Sequence, residues 1–219
     1  MDPLAAKARV LSTLALKGVL EDLAPNLNVR FGATQAWLAA LRAGEQADAL
    51  ILTAEAIAEL EREGKVRSSI ALGSSGVGLA VRAGARKPGI GTVDALKRVL
   101  ESAQSVAHSK IGASGIYFAE LVKRLEIKLN KRVVVDKGPV GLVVAKGEAE
   151  IGIQQLCELA PVPGIDIVGP LPAPLQKLTR FCAGIPANAA APDRARALIE
   201  LLQSPAVREA MVEGGIEPA

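Results

Sequence analysis

With 219 residues, half of them apolar and 22% charged, the chain has ordinary globular composition and enough length for one large domain or two small lobes. A formal charge of +3 without a basic block leaves no footprint for nucleic acid, and one Trp, one Tyr and three Phe argue against a ligand held mainly by aromatic stacking. One histidine and two distant cysteines give no metal-ligand spacing, and no uncharged apolar run reaches the roughly 18 residues that a membrane span needs.

Arg9 to Leu11 is a short apolar run, and Leu14, Val19, Leu20 and Leu23 follow at helical spacing. Ser12 and Thr13 stand where the period changes, the place of a helix cap. This predicts a strand that opens directly into a helix, whose free amide groups and dipole would favour an anion. Alone, it is an ordinary capped turn. The same pattern then returns. Asn28–Phe31 reads as a strand, and Gly32, Ala33 and Thr34 turn into a helix over 36–43 that stops at Gly44. Asp48–Thr53 reads as a buried strand, followed by a helix over 54–63 and a stop at Gly64. Three strands ending in Ser12/Thr13, Ala33/Thr34 and Thr53 predict βαβ units and a polar site beyond the strand ends.

Ser69–Val81, rich in Gly and Ser, has no helical period and is read as a loop feeding an extended strand. Gly76-Val-Gly78 lacks the third spaced glycine and the following helix of a dinucleotide fingerprint. A second α/β series begins with Thr92 as cap of a helix over 92–100 and a strand over 105–109. Gly112-Ala-Ser114-Gly opens a further helix to Leu125. Val133–Val135 leads through Lys137-Gly138-Pro139 into a helix over 140–146, and Glu150–Gln155 is a strand ending in two amides. Strands over 165–168 and 178–185 follow. Two helices close the chain, one with Pro192 near its start and one capped by Ser204, with Pro205 at its first position and a stop at Gly214-Gly215.

The expected fold is α/β with two lobes, each a mostly parallel sheet flanked by helices: residues 1–80 with 184–219, and residues 81–183. Two extended crossings, near 77–83 and 179–185, would let the lobes close on a ligand by hinge motion. Val10-Leu-Ser-Thr-Leu-Ala-Leu-Lys-Gly-Val-Leu, Ala47-Asp-Ala-Leu-Ile-Leu-Thr, Gly112-Ala-Ser-Gly-Ile-Tyr-Phe-Ala, Gly147-Glu-Ala-Glu-Ile-Gly-Ile and the Ser-Pro-Ala-Val-Arg-Glu helix resemble the type 2 periplasmic solute-binding proteins, in the molybdate-binding branch. The resemblance implies closure on a small anion, an oxyanion or small carboxylate, held by amides and neutral hydroxyls. It also implies a monomer that needs no cofactor or metal, does not insert into the membrane and hands its ligand to an ABC transporter permease.

Carried over by position, the ligand-binding residues are Ser12, Thr13, Ala33, Thr34, Thr53, Ser114, Gly138 and Gln155. Molybdate binders carry a Tyr where this chain has Gln155. A Gln amide offers two donors and one acceptor, which favours a ligand with mixed needs, such as a carboxylate-bearing metabolite. The aconitate isomerases also resemble this family, so a cofactor-free isomerase of an unsaturated acid, with His108 as its acid or base, stands as the alternative to a carrier, and a cytoplasmic sensor as a third reading. The weight at this point is on a binder rather than an enzyme. Gly112-Ala-Ser114-Gly is one residue too short for a hydrolase nucleophile turn. Cys157 and Cys182 are expected as buried free thiols. The opening Met1–Lys7 has no basic region followed by a long apolar one, so the chain as written is expected in the cytoplasm, or in the periplasm if it is a trimmed mature form.

Overall fold

A computed structural model describes residues 7–23 and 27–219. The opening Met1–Ala6, on which the leader-peptide reading rests, lies outside the described residues, as does the side chain of Leu23. The chain divides into two units, Met1–Ser74 with Thr179–Ala219, and Ser75–Leu178.

In the first unit, β1 (Arg9–Ser12) leads into a 3₁₀ turn (Leu14–Leu16) and then α1 (Lys17–Leu23). The expected side-chain cap is not made: Thr13 takes the cap position without a cap bond, and the Ser12 hydroxyl donates to the Thr13 carbonyl instead. The strands β2 (Asn28–Phe31) and β3 (Ala49–Thr53) flank β1 and run parallel to it, while α2 (Thr34–Arg42) and α3 (Ala54–Arg62) follow them. Ala49 to Leu52 are all at most 1% exposed, as expected of a parallel strand covered on both faces. Ala56, Ile57 and Leu60 recur at helical spacing and pack with Trp37, Leu38, Leu50 and Leu52 in one cluster.

Next comes β4 (Val66–Arg82), one continuous strand that corrects the loop read over its middle. Its glycines serve close packing rather than turning. A Cβ on Gly73 would lie 2.5 Å from the Glu217 carbonyl oxygen, and one on Gly78 would lie 2.3 Å from the Leu156 side chain. Sequence period alone does not distinguish such a strand from a Gly/Ser loop.

The second unit holds α4 (Val93–Ser102), β5 (Val106–Ser109), α5 (Ala113–Arg124), β6 (Arg132–Val135), α6 (Val140–Ala145) and β7 (Ile151–Gln155). It also holds a short helix missed in the sequence, α7 (Leu156–Leu159), then β8 (Ile165–Pro170) and a 3₁₀ turn (Ala173–Leu175). β5 is parallel to β6 on one side and β7 on the other, and β7 and β8 both pair antiparallel with β4. One face of this sheet packs Leu79, Val106 and Ile153 against Leu96, Leu100, Phe118 and Leu121. Each such side chain, once buried, contributes about 1.5–3 kcal/mol relative to exposure. The other face sets Ala107 and Val135 against Val140 and Ala149.

The chain returns to the first unit through β9 (Leu178–Pro186), antiparallel to β3. Two helices follow, α8 (Pro192–Leu202) and α9 (Pro205–Glu213), the second capped by Ser204 as expected. A terminal pair of residues, β10 (Glu217–Pro218), adds to β4 at Gly73 and Ser74.

Candidate functional site

In the first unit the strand ends are tied together by main-chain bonds around Ser12, which is fully buried. The Ser12 carbonyl accepts from Gly32 N at 3.0 Å and from the Trp37 indole Nε1 at 2.9 Å, and Thr13 N donates to the Ile51 carbonyl at 2.8 Å. Gly32 lies under the Trp37 ring, 2.8 Å from it at the position of a Cβ, so the turn closes only with glycine there. Ser12, Thr13, Ala33 and Thr34 are thereby brought to the carboxyl ends of neighbouring strands. At Ala33 the helix α2 has no side-chain cap, and its first amides lack partners inside the helix. Thr53 differs, because its hydroxyl oxygen already caps α3 by accepting from Ala56 N at 3.4 Å.

In the second unit β5 ends at Ser109, whose hydroxyl accepts from Gly112 N at 2.9 Å. A Cβ on Gly115 would lie 1.9 Å from the Ser109 carbonyl oxygen, so α5 rests directly on the end of β5. Ser114, 3% exposed, sits in the first turn of α5, whose Gly112 cap position supplies no side-chain bond. Gly138, with φ +86°, makes the turn before α6. That helix is capped from a neighbouring strand: Val140 N donates to the Gln154 Oε1 at 2.8 Å, and the Gln154 amide donates to the Glu158 carboxylate. Burial pushes the Glu158 carboxyl up to about 7, against the opposing bond from Gln154. Glu158 was not singled out in the sequence; a Glu in a short unrecognised helix reads as surface.

His108 is 4% exposed, with its ring 5.4 Å from that of Phe118. Its Nδ1 lies 2.9 Å from the Ser109 carbonyl oxygen. A carbonyl only accepts, so Nδ1 carries the hydrogen and Nε2 is left as a lone pair, and that nitrogen has no partner among the described residues. Burial lowers the pKa of His108 and keeps it neutral, assisted by the charge of Arg132 and opposed by the bond to Ser109. Gln155, 3% exposed, has its Oε1 3.9 Å from the Cys157 sulfur and its Nε2 unpartnered. Burial pushes that thiol up to about 12, so it is protonated and makes a weak contact with the amide oxygen, while Ser75 also bonds it. The Gln155 oxygen, the acceptor expected from the sequence, thus has a weak partner in the thiol, whereas the unpartnered acceptor is His108 Nε2.

Two depressions lie elsewhere. One of about 500 Å³ in the second unit includes Arg86, Lys87 and Ser102, and one of about 240 Å³ in the first includes Glu45, Lys65 and Asn188. Neither is lined by a candidate residue. Both cysteines are free, and Cys182 is partly exposed rather than buried. Among the described residues no group of His, Cys, Asp and Glu is placed to hold a metal ion, and no helix is long and apolar enough to cross a membrane.

Residues 9–217, nearly the whole chain, match the family described as bacterial extracellular solute-binding protein. The chain belongs to this family. Among curated proteins, an aconitate isomerase from Pseudomonas sp. is 36% identical to this member of the family over 228 aligned positions, covering 95% of this chain and 87% of the relative. Two solved structures share the solute-binding fold. The Azotobacter vinelandii periplasmic molybdate-binding protein is 17% identical, with a TM-score of 0.71 and coverage of 94% of this chain and 97% of the other. The substrate binding domain assigned to a molybdenum ABC transporter from Clostridium difficile is 16% identical, with a TM-score of 0.71 and coverage of 96% and 97%.

Proposed function

We propose that this solute-binding protein takes a small unsaturated polycarboxylate and isomerises it, in the manner that the name of its aconitate isomerase relative indicates. The observation that carries the reading is His108, a buried neutral imidazole whose Nε2 is an open base at the end of a strand. Moving a double bond along an unsaturated acid needs only one such group. Nε2 takes a proton from the methylene carbon beside the alkene, the electron pair shifts the double bond along, and the imidazolium returns the proton to the far carbon. Atoms and charge balance, and no cofactor enters. Within the second unit, the Ser114 hydroxyl and the amides at Ser114 and Gly138 are the groups we assign to the carboxylates, with Gln155 two residues beyond the strand position that faces His108.

Incubation of the purified protein with cis- or trans-aconitate, followed by proton NMR, tests this. Conversion by the unaltered chain and its loss in His108→Ala is the expected result. A carrier is the second reading, favoured by the family match and by the kinship in fold with molybdate-binding proteins. A rise in melting temperature with a carboxylate but no conversion would select the carrier. A rise with molybdate alone would overturn both carboxylate readings.

A further inference from the structure

We propose that His108 and Gln155 act as a pair that reads a proton on the ligand: His108 Nε2 accepts from it while the Gln155 amide donates to the oxygen beside it. This rests on the carboxylate reading above and makes it specific. The two side chains come from adjacent parallel strands, with His108 beside Ile153 and Gln155 two residues further on. Side chains alternate along a strand, so both project from the face that carries Ile153 and Phe118. They are 4% and 3% exposed, and each ends in a nitrogen that no group among the described residues satisfies.

A buried polar nitrogen without a partner is costly, and here two with opposite needs lie at diagonal positions of adjacent strands, within reach of long side chains. The bond from Nδ1 to Ser109 fixes one as an acceptor, and the other, the Gln155 amide nitrogen, is a donor whose oxygen meets the Cys157 thiol. Such a pair complements a hydroxyl, a protonated carboxyl, or an acidic C–H next to a carboxylate. Tetrahedral metal oxyanions carry acceptors only and leave Nε2 facing an oxygen lone pair. The pair therefore selects organic acids over molybdate. Because neither atom touches solvent, a ligand reaches them only when the packing over them opens.

The chain has a single histidine, so the imidazole nitrogens of ¹⁵N-histidine-labelled protein give an unambiguous spectrum. The free protein should show hydrogen on Nδ1 and a bare Nε2. Saturation with an aconitate isomer, verified by thermal shift on the same sample, should move Nε2 toward a hydrogen-bonded or protonated position, and molybdate should leave it unchanged. A free protein with hydrogen on Nε2 overturns the pair, as does a bare Nε2 that stays still when the carboxylate is bound. If no carboxylate binds, the polycarboxylate reading falls and the pair with it; if one binds while Nε2 stays still, only the pair falls. Gln155→Met and His108→Asn supply a second arm, each weakening carboxylate binding by about tenfold or more, the loss expected for one buried hydrogen bond. Equal binding by both variants, in samples whose circular dichroism matches the parent, overturns the proposal.

Discussion

Asp48, 1% exposed, is held by Arg9 through its backbone N at 3.0 Å, its Nε at 3.3 Å and its Nη2 at 3.1 Å, and the Ala191 backbone adds a further bond. Burial alone would raise the pKa of Asp48, but these bonds and the Arg9 charge outweigh it and hold the carboxyl below its ordinary value. The folded state then binds the proton more weakly than the unfolded one. The stabilisation is present above the unfolded pKa and is lost as pH falls through the folded one. Arg9→Leu should lower stability at neutral pH by about 1–2 kcal/mol, since the backbone bond remains and the guanidinium is partly in water. Urea unfolding of parent and variant at neutral pH and near pH 3 should show the gap closing in acid.

Gly115→Ala should be far costlier than an alanine on a helix normally is. The new carbon has no room against the Ser109 carbonyl, so either α5 lifts from β5 or the strand end moves. We expect a loss of about 1–3 kcal/mol, a lower melting temperature, and weaker ligand binding, because Ser114 and His108 flank the displaced contact. Thermal melting and calorimetry on one preparation check both effects.

Several of these elements are readable from the chain because their signals are local. Thr92 and Ser204 cap helices where the spacing placed them, and the runs at 49–53 and 151–155 are strands. The failures share one cause. Residues 69–81 look partly loop-like in sequence, because what makes their glycines strand residues is the distant Glu217 and Leu156 packed on them. Ser12 keeps its position at a strand end but not its role as a cap, since its hydroxyl finds a nearer carbonyl. The tautomer of His108 depends on the direction of one carbonyl, and the rank of Glu158 depends on burial. Neither is written in residue spacing.

Glu158 should impose a pH slope on stability. Its folded pKa of about 7 stands above the ordinary 4.5, so the folded protein binds more protons between these values. Its contribution is full at lower pH and fades as pH rises from about 4.5 to about 7. In Glu158→Gln that part of the slope should vanish. Urea midpoints for parent and variant near pH 5 and near pH 8 should differ less in the variant; an unchanged difference would show that the carboxyl titrates normally.

Trp37, the single tryptophan, reports on the Ser12–Ala33 turn because its indole is bonded to the Ser12 carbonyl. A ligand seated at that turn should change its fluorescence, whereas no change at saturation would show that no ligand sits there. Trp37→Phe should cost about 1 kcal/mol for the lost bond, plus packing. The Ser12 carbonyl keeps its second donor, Gly32 N, and the turn should survive.

The first unit is built from two separated pieces of chain, while the second is one uninterrupted piece, Ser75–Leu178. On the ribosome this fixes an order of completion. Strand β3 emerges early with one flank paired to β1, but its other partner, with Leu50 beside Gly184, is not synthesised until the whole second unit has been made. The nascent first unit thus waits with an open sheet edge, which is the kind of surface that invites wrong partners. The second unit needs nothing made later than itself. It is the part of the polypeptide best suited to being produced alone, and a rearranged gene joining residue 74 to residue 179 would ask whether the other half can do without the wait.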